Sequence, residues 1–350
     1  MSESNKPVTL KTIASVLNLT TASVSKALRD SPDISEETRR RVKEKARELG
    51  YHPKIMARSL SQRRSYILGV IVPDLRISFF SEAVRGMYEQ ARTYGYEVII
   101  LVHDENATNE RRNLEFLAAL QVDAILLDAV PGTQNNDVIY LIKNRGIPLV
   151  CYDRRIDGME FPSVTINDEV ASQQIIQYFF EQGRRKFMFL GPTRDLYVVK
   201  GRYNGYRKAL EKLNLPYQPE LLVPCKIDDT DAFAKMKDTL SAGIEFDAVM
   251  CVGGLVAYGA GKALQEYGFT IPVDVMLAEF GDNNIVHKLG VPFVTVDQSP
   301  YKMGMTAIDM VVEYLTQNGV LKQQHVVMET RLITYHSHLP NNSISMLKRT

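Results

Sequence analysis

Three cysteines, six histidines and no run of 18 apolar residues leave several classes of function without their usual equipment. The cysteine count is odd, and Cys151 and Cys251 lie in apolar runs without metal-ligand spacing. Buried reduced thiols are expected, not a disulfide scaffold. The N-terminal segment MSESNKPVTLKT has no apolar signal core, and no stretch is long enough to span a bilayer, so a cytoplasmic, soluble protein without membrane contact is expected. The histidines are scattered, no Ser or Cys occupies a nucleophile elbow, and the glycines of CVGGLVAYGAG have neither Rossmann nor phosphate-loop spacing. An enzyme is therefore not expected, nor a metal or cofactor.

What is present is length and an uneven charge. A chain of 350 residues with 45% hydrophobic content exceeds one ordinary domain and can bury a large core. The net charge of +1 hides an asymmetry: residues 1–65 hold 14 Lys/Arg against 7 Asp/Glu, and the rest hold 28 against 34, so the two parts carry +7 and −6. The basic end is the one suited to a polyanion.

Within that end, Leu10, Ile13, Ala14 and Leu17 recur at helical spacing, stop at Asn18-Leu19, and resume at Val24, Ala27 and Leu28 behind Thr20, a residue able to cap a second helix. Two short helices joined by a tight turn result. With Val24 and Leu28 facing the first helix, the opposite face of the second carries Thr21, Ala22, Ser25, Lys26 and Arg29. That face is small, polar and basic, and suits a DNA major groove. Ser35-Glu36-Glu37 caps and charges a third helix, Val42, Ala46 and Leu49 supply its apolar stripe, and Gly50 ends it. Three helices can close one small core.

VTLKTIASVLNLTTASVSKALRDSPDISEETRRRVKEKARELGYHPKIMARSL resembles the DNA-binding headpiece and hinge of the lactose-repressor (LacI/GalR-type) family of bacterial transcription regulators. The VSKAL, ISEETRRRV and LGYHP segments keep the family spacing. The turn often written Ala-Gly-Val-Ser reads Leu17-Asn18-Leu19-Thr20 here; asparagine tolerates a left-handed backbone, so the turn should survive. The resemblance implies DNA contacts at Thr9, Leu10, Thr20, Thr21, Ala22, Ser25, Lys26, Arg29, Ser35, Tyr51, Lys54, Ala57 and Leu60. Thr21 and Ala22 can pack on thymine methyls but cannot make bidentate base contacts, so more discrimination is expected from the hinge and from the deformability of the central base step.

In KIMARSLSQRR, Pro53 suits the first turn of a short helix that is marginal alone and should order when something binds it. The resemblance implies a hinge helix that pushes Leu60 into the minor groove; the other reading is a linker residue packed on the next domain. Lys54, Arg58, Arg63, Arg64 and the run Arg39-Arg40-Arg41 read as phosphate contacts or as solvated charge.

From Tyr66 onward the texture alternates. YILGVIVPDL, EVIILVHD, AILLDAV, PLVCYD and VTIND read as strands, with FFSEAVRGMYEQARTYGY a helix, and a second such series follows through VMLAEFG. Alternation of this kind builds parallel sheets covered on both faces, and about 270 residues are too many for one sheet, so two lobes are expected. The resemblance implies the same: an all-α helix-turn-helix headpiece plus an α/β periplasmic-binding-protein-like domain of two doubly wound parallel-sheet lobes, joined by three crossings, with ligand between them. The block VTVDQSPYKMGMTAIDMVVEYL should return to the first lobe. The expected division is 1–50 headpiece, 51–64 hinge helix and linker, 65–340 two-lobed domain and 341–350 polar tail. The tail shows none of the leucine heptads by which some members tetramerise. A homodimer on a pseudo-palindromic double-stranded DNA operator is expected, since one headpiece reads half a palindrome.

For the effector, a small molecule such as a sugar or sugar derivative, the resemblance points to Phe79 and Phe80, Asp153 and Arg154, Arg202, Asp282 and Gln298. Phe79 and Phe80 could equally be core residues. Charges at the end of a strand, as Asp153-Arg154 after IPLVCY, sit where open α/β sheets bind ligands, and Arg202 would suit hydroxyls, a carboxylate or a phosphate. Two departures weaken a sugar reading. Gly253-Gly254 stands where most members have Asn-Asp or Asp, and Glu279-Phe280-Gly281-Asp282 stands for Gly-Phe-Asp. The function expected is a ligand-responsive DNA-binding regulator, a repressor. A protein corepressor in place of the small effector is the alternative; a transport solute-binding protein would need a secretion signal and no basic headpiece.

Overall fold

The computed structural model describes residues 8–51, 64–156, 158–192, 197–281, 283–317 and 319–334. It divides into two compact units, the first ending at Ser65 and the second starting at Tyr66.

The first unit holds helices α1 (Leu10–Leu17), α2 (Thr21–Leu28) and α3 (Glu36–Glu48). Local chemistry sets their ends. Thr9 and Thr12 form a capping box at the start of α1, each hydroxyl accepting the other's backbone N–H, at 3.3 and 3.2 Å. Asn18 closes α1 at φ 55°, the left-handed conformation its identity allows. Thr20 then caps α2, its hydroxyl accepting the Ser23 amide at 3.0 Å, and Ser35 caps α3 through the Thr38 amide. Helices of eight residues do not persist alone. These are held by a core of Ile13, Ala14, Val24, Ala27, Val42 and Ala46, all buried.

The second unit carries twelve strands among its described residues, in two six-stranded sheets. The first lobe contains β1 (Ile67–Val72), α4 (Ser78–Thr93), β2 (Glu97–Val102), α5 (Ala107–Leu120), β3 (Ala124–Leu127), α6 (Asn136–Asn144), β4 (Leu149–Tyr152) and β5 (Ser163–Ile166). The chain crosses to α7 (Asp168–Glu181), β6 (Phe187–Gly191), α8 (Tyr197–Lys212), β7 (Leu222–Pro224), α9 (Asp229–Ser241), β8 (Ala248–Cys251), α10 (Gly254–Glu266), β9 (Met276–Phe280), the single turn α11 (Asn283–Val286) and β10 (Val294–Asp297). It returns as α12 (Pro300–Thr316) and β11 (His325–Met328), then ends as β12 (Arg331–Ile333). The sheet orders are β11-β5-β4-β3-β1-β2 and β12-β10-β9-β8-β6-β7. All pairs are parallel except β10 with β12. The block 294–315 is therefore divided: its strand still belongs to the second sheet, and the return to the first lobe begins at α12.

Strands β3, β4, β8 and β9 are buried throughout, as parallel strands covered on both faces must be, whereas β2 at the sheet edge is half exposed. α12 docks closely on α4 because Gly86 and Gly304 lack side chains: a Cβ on Gly304 would strike the Ala83 carbonyl, and one on Gly86 the Tyr301 carbonyl. The three cysteines are buried and unpaired, and burial pushes the Cys151 and Cys225 thiols up to about 12.

The crossings orient the lobes. They leave from the C-terminal ends of β5, β10 and β11, and β12 begins opposite the end of β10, with Arg331 paired to Asp297. The C-terminal ends of the two sheets therefore face each other. No helix among the described residues is long and apolar enough to cross a membrane.

Candidate DNA interface and interlobe site

On α2 the buried residues are Val24 and Ala27, and Thr21, Ala22, Lys26 and Arg29 are exposed on the other side, with Ser25 half-buried. The exposed face is held rather than loose. The Lys26 ammonium meets Asp33 at 2.5 Å, and Arg29 Nε donates to the Ser25 carbonyl at 3.1 Å. The hydrogen bond from Lys26 holds the Asp33 carboxyl below its usual range. Thr9, Thr20 and Ser35 occupy the three helix N-caps, where backbone amides converge. Leu10 and Tyr51 are half-buried against the small core. In the arginine run, Arg39 donates to the Asp30 carbonyl, and Lys43 grips both Asp30 oxygens at 2.6 Å. Lys54, Ala57 and Leu60, and with them the hinge helix, lie outside the described residues.

In the second unit the ends of β2, β3 and β4 build a charged cluster. Asp153 adopts φ 56° in a tight turn in which the Arg154 amide reaches the Tyr152 carbonyl at 2.6 Å. Asp104 and Glu105, after β2, also have positive φ, and strained non-glycine backbone of this kind collects at functional sites. Arg154 is buried and makes a two-point bond to Glu105, Nη1 to Oε2 at 2.9 Å and Nη2 to Oε1 at 2.8 Å. Its Nε lies 3.3 Å from Asp128 Oδ1 and 3.8 Å from Asp153 Oδ2, and its guanidinium faces the Phe80 ring at 6.0 Å. Burial opposes the charge, but the Asp128, Glu105 and Asp153 carboxylates hold the guanidinium above its usual range.

His103, fully buried, braces this cluster. The Glu105 amide donates to Nδ1 at 3.1 Å, so Nδ1 is the acceptor and Nε2 carries the proton that reaches the Asp128 carbonyl at 3.0 Å. Burial lowers its pKa and keeps the ring neutral. Phe79 and Phe80 are both buried, edge to face at 5.1 Å. Phe80 borders Arg154, and both rings belong to the first-lobe core.

Across the cleft Arg202, near the start of α8, is also buried. Nε donates to Asp168 Oδ1 at 2.7 Å, Nη2 to Gln298 Oε1 at 3.3 Å and Nη1 to the Val252 carbonyl, and the guanidinium lies over the Phe280 ring at 4.0 Å. Asp168 follows the first crossing and Gln298 lies on the second, so one side chain ties two crossings together. Burial pushes the Asp168 carboxyl up to about 6 despite Arg202. Gly281, at φ 69°, passes so close to Gln298 that any side chain there would collide with its amide. Asp282 lies outside the described residues; Glu279 points into the second sheet and accepts from the Thr295 hydroxyl.

Sequence reasoning singled out Asp153, Arg154, Arg202 and Gln298, and the structure brings them to the facing strand ends. It missed Glu105, His103, Asp128 and Asp168. Asp128 carried the same signal as Asp153, a carboxylate ending an apolar strand; Asp168 looked like an ordinary acid in a helix's first turn.

Comparison with known proteins agrees with this architecture. Residues 65–335 match the family of periplasmic binding proteins and sugar binding domains of the LacI family, and residues 9–54 match the bacterial regulatory proteins of the lacI family. The HTH-type transcriptional regulator RegA of Clostridium saccharobutylicum is 29% identical over 94% of this chain and 98% of its own. The HTH-type transcriptional repressor CytR of Escherichia coli K12 is 26% identical over 93% of each. A crystal structure of the Lac repressor dimer bound to operator and the anti-inducer ONPF superposes with a TM-score of 0.80 at 20% identity, covering 94% of this chain and 98% of that one. The helix-turn-helix unit and the two-lobed sensor thus form one DNA-binding transcriptional regulator, and the chain belongs to the LacI family of bacterial regulatory proteins.

Proposed function

We propose that the chain is a cytoplasmic homodimeric repressor that reads a pseudo-palindromic operator with α2 and releases or grips it according to a small effector held between the lobes. The observation that carries this reading is the division of α2 into a buried face, Val24 and Ala27, and an opposite face of exposed Thr21, Ala22, Lys26 and Arg29 with half-buried Ser25. Such a face fits the major groove, with the capped helix N-termini and Thr9, Ser35 and Tyr51 suited to the flanking phosphates. Residues 51–64 serve as hinge, with Lys54 on phosphate and Leu60 as the minor-groove wedge. The Lac repressor structure that this fold resembles is a dimer on operator, which supports the twofold arrangement.

Effector binding adjusts closure of the lobes. Phe80, Asp153, Arg154 and Gln298 are its most direct contacts, and Arg202 sets the geometry of the crossings. Differential affinity of the ligand for the two closures is what shifts the DNA equilibrium. The test is selection of duplexes from a random pool by the full chain at low salt, followed by sedimentation of the complex. An inverted repeat bound by two chains is expected. A selected motif without twofold symmetry, or one chain per duplex, would overturn the reading.

A further inference from the structure

Both cations on the outward face of α2 are anchored. Arg29 turns back on its own helix, Nε to the Ser25 carbonyl at 3.1 Å, and the Lys26 ammonium sits on Asp33 Oδ2 at 2.5 Å. Asp33 belongs to the connector between α2 and α3, and that connector is held along its length. Its first residues close α2, the Asp30 amide donating to the Ala27 carbonyl at 3.3 Å and the Ser31 amide to the Lys26 carbonyl at 3.1 Å, with Asp30 left-handed at φ 56°. Lys43 and Arg39 of α3 hold Asp30 from the other side. The Ile34 amide then reaches the Ser31 carbonyl at 3.1 Å, Ile34 packs against the small core, and Ser35 caps α3. A fixed loop therefore delivers the carboxylate that meets Lys26, and Ser31 also donates to it.

A half-exposed ion pair of this kind adds little to folding stability. On a face that meets DNA it matters more, because attraction between cations and phosphates supplies essentially all binding to unselected sequence. Thr21 and Ala22 on the same face cannot make bidentate base contacts, so a preference for one sequence has to come in part from weak binding to the others. An ammonium has three donors. Held on Asp33 by one of them, Lys26 keeps the rest for a partner at one place and loses the reach by which a flexible lysine finds any nearby phosphate.

We propose that Asp33 is a specificity-determining positioning residue for DNA: by fixing the Lys26 ammonium it confines that cation to the contact made when α2 is seated on its operator, and withholds it from the phosphates of other duplexes. This rests on the operator reading above and adds to it a residue whose charge has the same sign as DNA. Asp33 gives up some attraction to every duplex, and the seated complex loses least because there the fixed ammonium is in register.

The experiment measures binding of the full chain, by fluorescence anisotropy from about 50 to 200 mM salt, to the selected operator and to a scrambled duplex of the same length and composition. Asp33→Asn, Lys26→Met, the double variant and Glu44→Gln, which removes a negative charge from the exposed face of α3, are compared with the parent. Asp33→Asn should bind the scrambled duplex about 3- to 10-fold more tightly, with a log–log salt slope steeper by about 0.9, and the operator within about 2-fold of the parent. In the Lys26→Met background Asp33→Asn should change neither quantity. Glu44→Gln should leave the ratio of the two affinities as it is in the parent. The inference is overturned if Asp33→Asn tightens both duplexes equally or neither, if its effect survives the loss of Lys26, or if Glu44→Gln lowers the ratio as much. A parent chain that binds the two duplexes alike overturns the operator reading itself, and this inference with it.

Discussion

In the first lobe Arg154 faces three carboxylates and still leaves both oxygens of Asp128 without a hydrogen bond, whereas in the second lobe Arg202 places its donors on Asp168, Gln298 and the Val252 carbonyl and its face on Phe280. Both side chains are buried, and both sit at the facing edge of a parallel sheet. Their surroundings separate them. The second-lobe cluster closes upon itself, whereas the first-lobe cluster keeps a buried acceptor without a hydrogen bond among the described residues.

The largest effect that can break this contrast is on stability. Arg202→Met strands Asp168 in the protein interior, and removing one partner of a buried pair costs about 3–5 kcal/mol. Urea unfolding at about pH 7.5 should show the loss, and it should shrink near pH 5, where Asp168 takes up its proton. Asp128→Asn should cost less in the same assay, because Arg154 keeps its two-point bond to Glu105. Equal losses for both variants would erase the distinction between the lobes.

The same logic extends to the small unit. Its core rests on six buried side chains among the described residues, so Ile13→Ala, worth about 2–5 kcal/mol, should unfold it and abolish DNA binding. The main thermal transition, which belongs to the sheets, should not move. Loss of both would mean that the two units do not fold separately.

A pH titration gives opposite signs in the two units. Asp168, held up to about 6 by burial, contributes its stability fully below about pH 4 and loses it as pH rises through 6, a change of roughly 3 kcal/mol. Asp30 and Asp33 are held below their usual range by hydrogen bonds from Lys43 and Lys26. Their contribution is present above about pH 4 and is lost as pH falls through the lowered values. Relative to the parent, Asp168→Asn should therefore gain midpoint temperature as pH rises, and Asp30→Asn should lose it. The smallest effect expected is on DNA: Lys26→Met should flatten the salt dependence of binding by about 0.9 per phosphate contact removed.

These contrasts were unequally legible in the sequence. Asn18, Thr20 and Ser35 act within three or four residues of themselves, so their αL turn and caps could be read directly. The strand and helix alternation likewise announced two lobes. Arg202 could be picked out, but its partners lie 34, 50 and 96 positions away, and no local pattern tells whether a guanidinium is already engaged. Asp128 was hidden for a related reason: a carboxylate ending ILLD looks the same whether it is satisfied or not, and only the packing of β2, β4 and His103 around it decides.

The most direct test of the central claim measures operator affinity by fluorescence anisotropy for the full chain, with and without a ligand already found by thermal shift. A cleft that controls the helix-turn-helix unit should change that affinity by about 5- to 150-fold. A ligand that raises the sensor's unfolding midpoint yet leaves operator affinity unchanged would contradict it.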